Sequence, residues 1–176
     1  MALTEENYKE ISTSDNIIMI KNSDIIKKTL FTLISVASSK SSNDYAWSII
    51  KSLLKELKGE FDFLKYIIID DVENLKNTID DIKVQPDFNK TESKKLGKAI
   101  QKIVDMFKTR MGNKAGYFFL KEFRDKLGED YHSVIKNIGV DLRLIDIQKD
   151  LYSVGGAKYK IKDDSSSNIG FIEKIE

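Results

Sequence analysis

The chain of 176 residues contains no cysteine, one proline (Pro86), one histidine (His132) and one tryptophan (Trp47). Without thiols there is no disulfide, no thiolate metal site and no cysteine nucleophile. One histidine is too few for a histidine-rich zinc site within a single chain. A Ser-His-Asp arrangement would need a partner motif such as G-x-S-x-G, which the chain lacks. The phosphate-binding loop G-x-x-x-x-G-K-[ST] is missing too: MGNKAG and GGAKYK have neither its spacing nor its terminal hydroxyl. Calcium-loop spacing of acids is absent. No stretch approaches the ~18 to 20 apolar residues that span a bilayer, and MALTEENYKE lacks the basic end and apolar run of a secretory signal. The resulting expectation is a cytoplasmic, non-enzymatic protein with no cofactor, no metal and no membrane partner.

The chain is 41% apolar and 32% charged, as in a globular protein, and its length suits one ordinary domain or two small ones that cover each other's apolar faces. Net charge is only +1, but the charge is unevenly distributed. From Glu60 to Asp87 there are eight acids against three bases, and from Lys90 to Lys126 eleven bases against four acids. Such halves would attract each other or a second copy of the chain.

Self-similarity is the main organising signal. An offset of about 70 residues lays Ile26, Leu30, Leu33, Ile34 and Ala37 on Leu96, Ile100, Ile103, Val104 and Phe107. The same offset lays Asn43 on Asn113, and Ile49, Ile50, Leu53 and Leu57 on Phe119, Leu120, Phe123 and Leu127. After one inserted residue, FLKYIIID meets VIKNIGVD. Only about eight of the aligned pairs are identical, and any two amphipathic helices of similar length can be slid into partial agreement. The expected fold class is α+β, mostly α, with two related helical units (residues 16–85 and 86–176) after a flexible 1–15. The second unit ends in a small antiparallel hairpin.

Along the chain, NIIMI reads as a strand. A helix capped by Ser23 follows, then a second capped by Asn43 or Asp44 and closed by Gly59, with Trp47 covering its face. FDFLKYIII reads as a short helix running into a strand, and Val72 to Ile82 as a polar helix. The segment VQPDFNK around Pro86 marks the break between units. Thr91 would cap a long helix closed by Gly112. Asn113 would open the next, ending at Gly128, and a short third helix runs from Glu129 to Ile138, with Gly139 after it. Val140, Leu142 and Leu144 then alternate with polar residues as in a strand. Leu151–Val154 and Ala157–Ile161 flank Gly155-Gly156 like a primed turn, DDSSSN reads as flexible, and GFIEKI as an edge strand.

Three functional readings compete. The leading one is a regulatory or protein-interaction module. Tyr117, Phe118, Phe119 and Phe123 place four aromatic rings within seven positions, more than one buried helix face accommodates, so Tyr117 and Phe118 become a candidate contact surface for a protein partner or a homodimer. The alternative is a winged-helix DNA-binding regulator over residues 91–162. There Glu129 to Ile138 would present His132, Ser133, Lys136 and Asn137 to the major groove, and Lys94, Lys95, Lys98, Lys102, Lys158, Lys160 and Lys162 would contact phosphates. Against it, that helix begins with Glu129 and Asp130 and has no arginine. An enzyme comes third. The run IIID followed by Asp71 resembles a strand end that positions metal-binding acids, but acids at a helix N-terminus serve equally well as partners of the backbone dipole.

Overall fold

The computed structural model describes residues 9–13, 16–143, 159–162 and 171–174. These comprise five α-helices, several short 3-10 turns and three two-stranded antiparallel sheets, so the described chain is mostly helical. Two compact units divide the chain, Met1–Leu142 and Arg143–Glu176. The Pro86 break therefore falls inside the first unit.

In the first unit, β1 (Lys9–Thr13) pairs in antiparallel register with β2 (Asn16–Ile20), Lys9 opposite Ile20 and Thr13 opposite Asn16. The expected strand NIIMI is present. Its partner comes from the segment expected to be frayed, because a ladder with β2 satisfies backbone groups that a free end would leave to water.

Helix α1 (Asn22–Ser38) is the hub. Besides the stripe expected from sequence, it buries Ile25, Thr29, Thr32 and Val36, so most of its circumference is out of water. A helix apolar on nearly all sides belongs in the middle of a core. Four helices and one strand accordingly pack on it: α2 (Asn43–Leu57), α3 (Ser93–Met111), α4 (Phe119–Leu127), α5 (Glu129–Asn137) and β4 (Ile82–Val84). Each fully buried leucine or isoleucine of α1 contributes roughly 1.5–3 kcal/mol.

The caps differ from the sequence expectation. Helix α1 begins one residue before Ser23, and Asn89, distant in sequence, caps it: the Ser23 amide donates to Asn89 Oδ1 at 2.9 Å. In return the buried Asn22 donates Nδ2 to the Thr91 carbonyl at 2.8 Å. A local motif cannot encode this clasp. Ser42, not Asn43 or Asp44, caps α2 by accepting from the Tyr45 amide at 3.2 Å. Gly59 does not close α2 in a left-handed conformation: its φ is not positive, and α2 ends through Lys58 in the right-handed region. Thr91 does not cap α3 either. It lies buried in the preceding turn, and Glu92 takes the cap position without a side-chain bond.

Asp62–Tyr66 forms a 3-10 helix that runs into β3 (Ile67–Ile69), the helix-then-strand order read from the sequence. Strand β3 pairs antiparallel with β4, Ile67 opposite Val84. The polar helix expected over Val72 to Ile82 is not formed. Val72–Asn74 and Ile79–Asp81 are 3-10 turns, and Ile82 begins β4. Asp81 prevents helical continuation by drawing the Lys76 and Thr78 amides to its carboxylate, at 3.2 and 2.8 Å. Between them Asn77 adopts φ 60° and accepts from Trp47 Nε1 at 2.9 Å. Trp47 itself has no exposed surface.

Helix α3 closes at Gly112 (φ 53°) as expected, but Asn113 sits in a 3-10 turn (Gly112–Ala115) and α4 starts only at Phe119. Helix α5 presses its C-terminal end against α3 at Gly97, where an added Cβ would stand 1.9 Å from the Ile138 carbonyl oxygen. Beyond it, the Gln101 amide pairs with both backbone groups of Asp141, accepting from N–H at 2.7 Å and donating to C=O at 3.0 Å. The expected strand from Val140 is not seen, since Leu142 and Arg143 are helical; Leu144 lies outside the described residues.

The apolar positions paired by the 70-residue offset are buried on both sides, from Ile26 with Leu96 to Leu57 with Leu127. The third segments differ, however: Asp62–Tyr66 with β3 on one side, α5 on the other. Matching burial over two amphipathic helices does not establish a duplication.

In the second unit, β5 (Tyr159–Lys162) pairs antiparallel with β6 (Phe171–Lys174), Lys160 opposite Glu173. The return strand GFIEKI is thus present. The segments expected around it, Leu151–Val154, Gly155-Gly156 and DDSSSN, lie outside the described residues.

Candidate functional site

Among the described residues, the most exposed aromatic feature is a tip between α3 and α4. Gly112 turns the chain out of α3, and Gly116 (φ 72°) turns it again. Both need the left-handed region, which glycine enters at little cost. The residues flanking the tip are anchored: Ala115 and Phe119 have no exposed surface, and Phe119 stacks on Phe107 of α3 at 6.0 Å between centroids. Tyr117 and Phe118 between them remain 85% and 60% exposed, their rings edge-on at 5.2 Å.

Three contacts hold this tip against the rest of the unit. Lys114 Nζ lies 4.3 Å above the Tyr45 ring of α2. Lys40 pairs with Glu122 at 3.0 Å, and its side chain lies over Gly116, 3.3 Å from where a Cβ would be. The pair is surface-exposed and is worth about 0–1 kcal/mol, so it orients the tip more than it stabilises the fold. Fixed side chains that keep large apolar rings in water are a contact surface in waiting, because covering them releases hydration at little entropic cost. The third exposed large apolar residue among those described is Ile68 (42%) on β3, which the apolar pattern did not single out. Asp70, Asp71 and Glu73 follow it within five positions, and Lys83 stands opposite it on β4.

The lysines of the nucleic-acid reading divide by element. Lys94, Lys95, Lys98 and Lys102 are all exposed on one face of α3. On α5, Ser133, Lys136 and Asn137 are exposed and His132 is half-buried, and Glu129 and Asp130 are exposed with them. That face carries two acids for one lysine. Lys160 and Lys162 lie on β5, while Lys158 lies outside the described residues. Helices α3, α4 and α5 do not form a self-contained triple of the winged-helix kind; α1 supplies the centre on which they assemble.

Among the described residues, Asp70, Asp71 and His132 share no site. Asp70 pairs with Lys83 at 2.6 Å and Asp71 with Lys51 at 3.1 Å. Lys51 also donates to the Asp70 carbonyl at 3.0 Å, so these acids tie β3 to α2 and β4. His132 sits on α5 apart from them. Burial lowers its pKa below 6.5; Arg124 adds to the shift, Glu129 opposes it and Lys136 reinforces it. Among the described residues, no group of three or more histidine, aspartate or glutamate side chains is placed to hold a metal ion. Among them, too, no helix is long and apolar enough to cross a membrane. Comparison with protein-family models, with curated proteins and with solved structures gives no match.

Proposed function

We propose that the chain is a non-enzymatic interaction module whose contact surface is the Tyr117–Phe118 tip, and that its occupant is a second copy of the chain. The observation that carries this reading is a pair of rings 85% and 60% exposed on a turn whose flanking residues are fully buried. The choice of a second copy rests on charge. The tip lies in the basic stretch and is flanked by Lys114 and Lys121, whereas the exposed Ile68 lies in the acidic stretch. An apolar tip in the basic stretch of one copy and an apolar spot in the acidic stretch of the other, where Glu73 stands beside the Asp70–Lys83 and Asp71–Lys51 pairs, make a head-to-tail contact. Descent of α1–α2 and α3–α4 from one ancestral pair fits their shared buried positions.

Sedimentation velocity over a concentration series tests the reading. The wild-type chain should associate, more weakly as salt rises, and Phe118→Asp and Ile68→Asp should each yield a folded monomer. A wild-type chain that stays monomeric to about 0.1 mM, where even a weak self-contact is partly occupied, would refute it. So would association that both variants retain.

A further inference from the structure

The lysines of α3 form a second surface, independent of the aromatic tip. Lys94, Lys95, Lys98 and Lys102 fall within about 100° of one another around the helix and span about 12 Å of its axis. All four are exposed, and none makes an ion pair among the described residues. They crowd the N-terminal half of α3, at the positive end of the helix dipole, where Glu92 at the cap position is the only acid. Lys94 and Lys98, like Lys98 and Lys102, stand one turn apart and repel. Lys40, Lys51, Lys83, Lys90 and Arg110, elsewhere in the unit, do find acids. Folding gains nothing from four unpaired cations held side by side, and an external polyanion would neutralise them together.

We propose that this face of α3 binds the phosphate backbone of duplex nucleic acid without reading its sequence. A duplex carries one negative charge per ~1.7 Å of its axis, so a 12 Å row of ammonium groups spans several phosphates at once. Neither of the two other polyanions fits as well. A single strand is held by stacking its bases on aromatic side chains, and an anionic membrane by burying apolar ones. The large exposed apolar residues of the described chain are Ile68, Tyr117 and Phe118, none of them on α3. Base reading is not part of the proposal, because flexible ammonium groups on phosphates carry no sequence information. Nor is α5 the primary contact, since Glu129 and Asp130 share its exposed face with Lys136.

The test is fluorescence anisotropy of the full chain with two labelled duplexes of unrelated sequence, over a salt series starting near ~20 mM. Binding should fall linearly on a log–log plot with a slope of about −3 to −4, each lysine removed lowering it by about 1. A quadruple Lys→Gln variant at 94, 95, 98 and 102 should lose about tenfold or more in affinity at low salt while melting no lower than wild type. A control with Lys55, Lys58, Lys65 and Lys136 changed to Gln removes the same charge from other surfaces and should keep most of the binding. Four results would overturn the proposal: no binding at the lowest salt, equal losses in the two variants, strong preference between the two sequences, or tighter binding to single strands or phosphatidylserine vesicles than to duplex. None of these bears on self-association, which is read separately by sedimentation.

Discussion

Gly97→Ala is the most informative single change, because helix propensity and tertiary packing predict opposite signs. In an exposed helix interior the added methyl would stabilise by about 1 kcal/mol. Here it would meet the Ile138 carbonyl oxygen at 1.9 Å and its carbon at 2.8 Å, backbone atoms that no rotamer change can move aside. Restoring ordinary contact requires the end of α5 to retreat from α3 by more than 1 Å. The two Gln101–Asp141 bonds, 2.7 and 3.0 Å long, do not survive that shift. At about 1 kcal/mol each they account for ~2 kcal/mol. Loosened packing of Ile138 and Val140, both buried, adds ~1–2 kcal/mol. After the gain in propensity the net loss is about 2–3 kcal/mol. Urea unfolding followed by the emission of Trp47, the only tryptophan, should show the midpoint falling by about 1–2 M at constant slope. Hydrogen exchange should show lost protection at the Asp141 amide. In a Gln101→Ala background the penalty should shrink, since part of the damage is already done. An unchanged or raised midpoint for Gly97→Ala would mean that α3 and α5 do not approach as closely as described.

Three further outcomes follow from particular contacts. Asn89→Ala removes the distant cap of α1 and should cost ~1 kcal/mol by urea unfolding, and Asn22→Ala, which strands the buried Thr91 carbonyl, ~1–3 kcal/mol; their effects should be less than additive because both open the same clasp. His132 has a folded pKa below its unfolded value of 6.5, so the unfolded chain takes up the proton first and stability declines as pH falls through that range. His132→Asn should flatten the stability profile between about pH 7.5 and 5.5, and an unaltered profile would show that His132 titrates freely. Phe118→Asp should leave the unfolding free energy from urea titration within about 0.5 kcal/mol of wild type, since the ring is mostly in water already; a larger drop would show that it supports the core.

The apolar periodicity was sufficient to place α1, α2, α3 and α5, and the bounds of most helices agree with it to within a residue or two. The helix-then-strand character of Phe61 to Ile69 was also legible, because its β-branched run is too short for a helix of its own. Misreadings gather where a polar side chain has a choice of backbone partners. Asp81 gathers two amides of its own loop and stops the helix that Val72 to Ile82 would otherwise make. Ser23, Asn43 and Thr91 were good local caps, yet Asn89, Ser42 and Glu92 hold the cap positions or their bonds. Of the candidate surfaces, the exposure of Tyr117 and Phe118 was readable from four rings crowding one short helix. The exposure of Ile68 was not, since alternation on a three-residue strand says little about which face is covered.

Residue order alone determined where the apolar stripes of α1 to α5 recur, and composition alone removed thiol chemistry and a histidine-rich zinc site. Which stripe becomes the centre is a property of the assembled chain. Helix α1 is central because four helices and a strand close on it, and its Thr29 and Thr32 are buried only as a result. The same holds for Gly97: its lack of a side chain has meaning only once Ile138, forty-one residues later, arrives against it. Periodicity is a local property and survives in an isolated segment, whereas a clasp such as Asn22–Thr91 or Gln101–Asp141 exists only when folding brings distant backbone within hydrogen-bond reach.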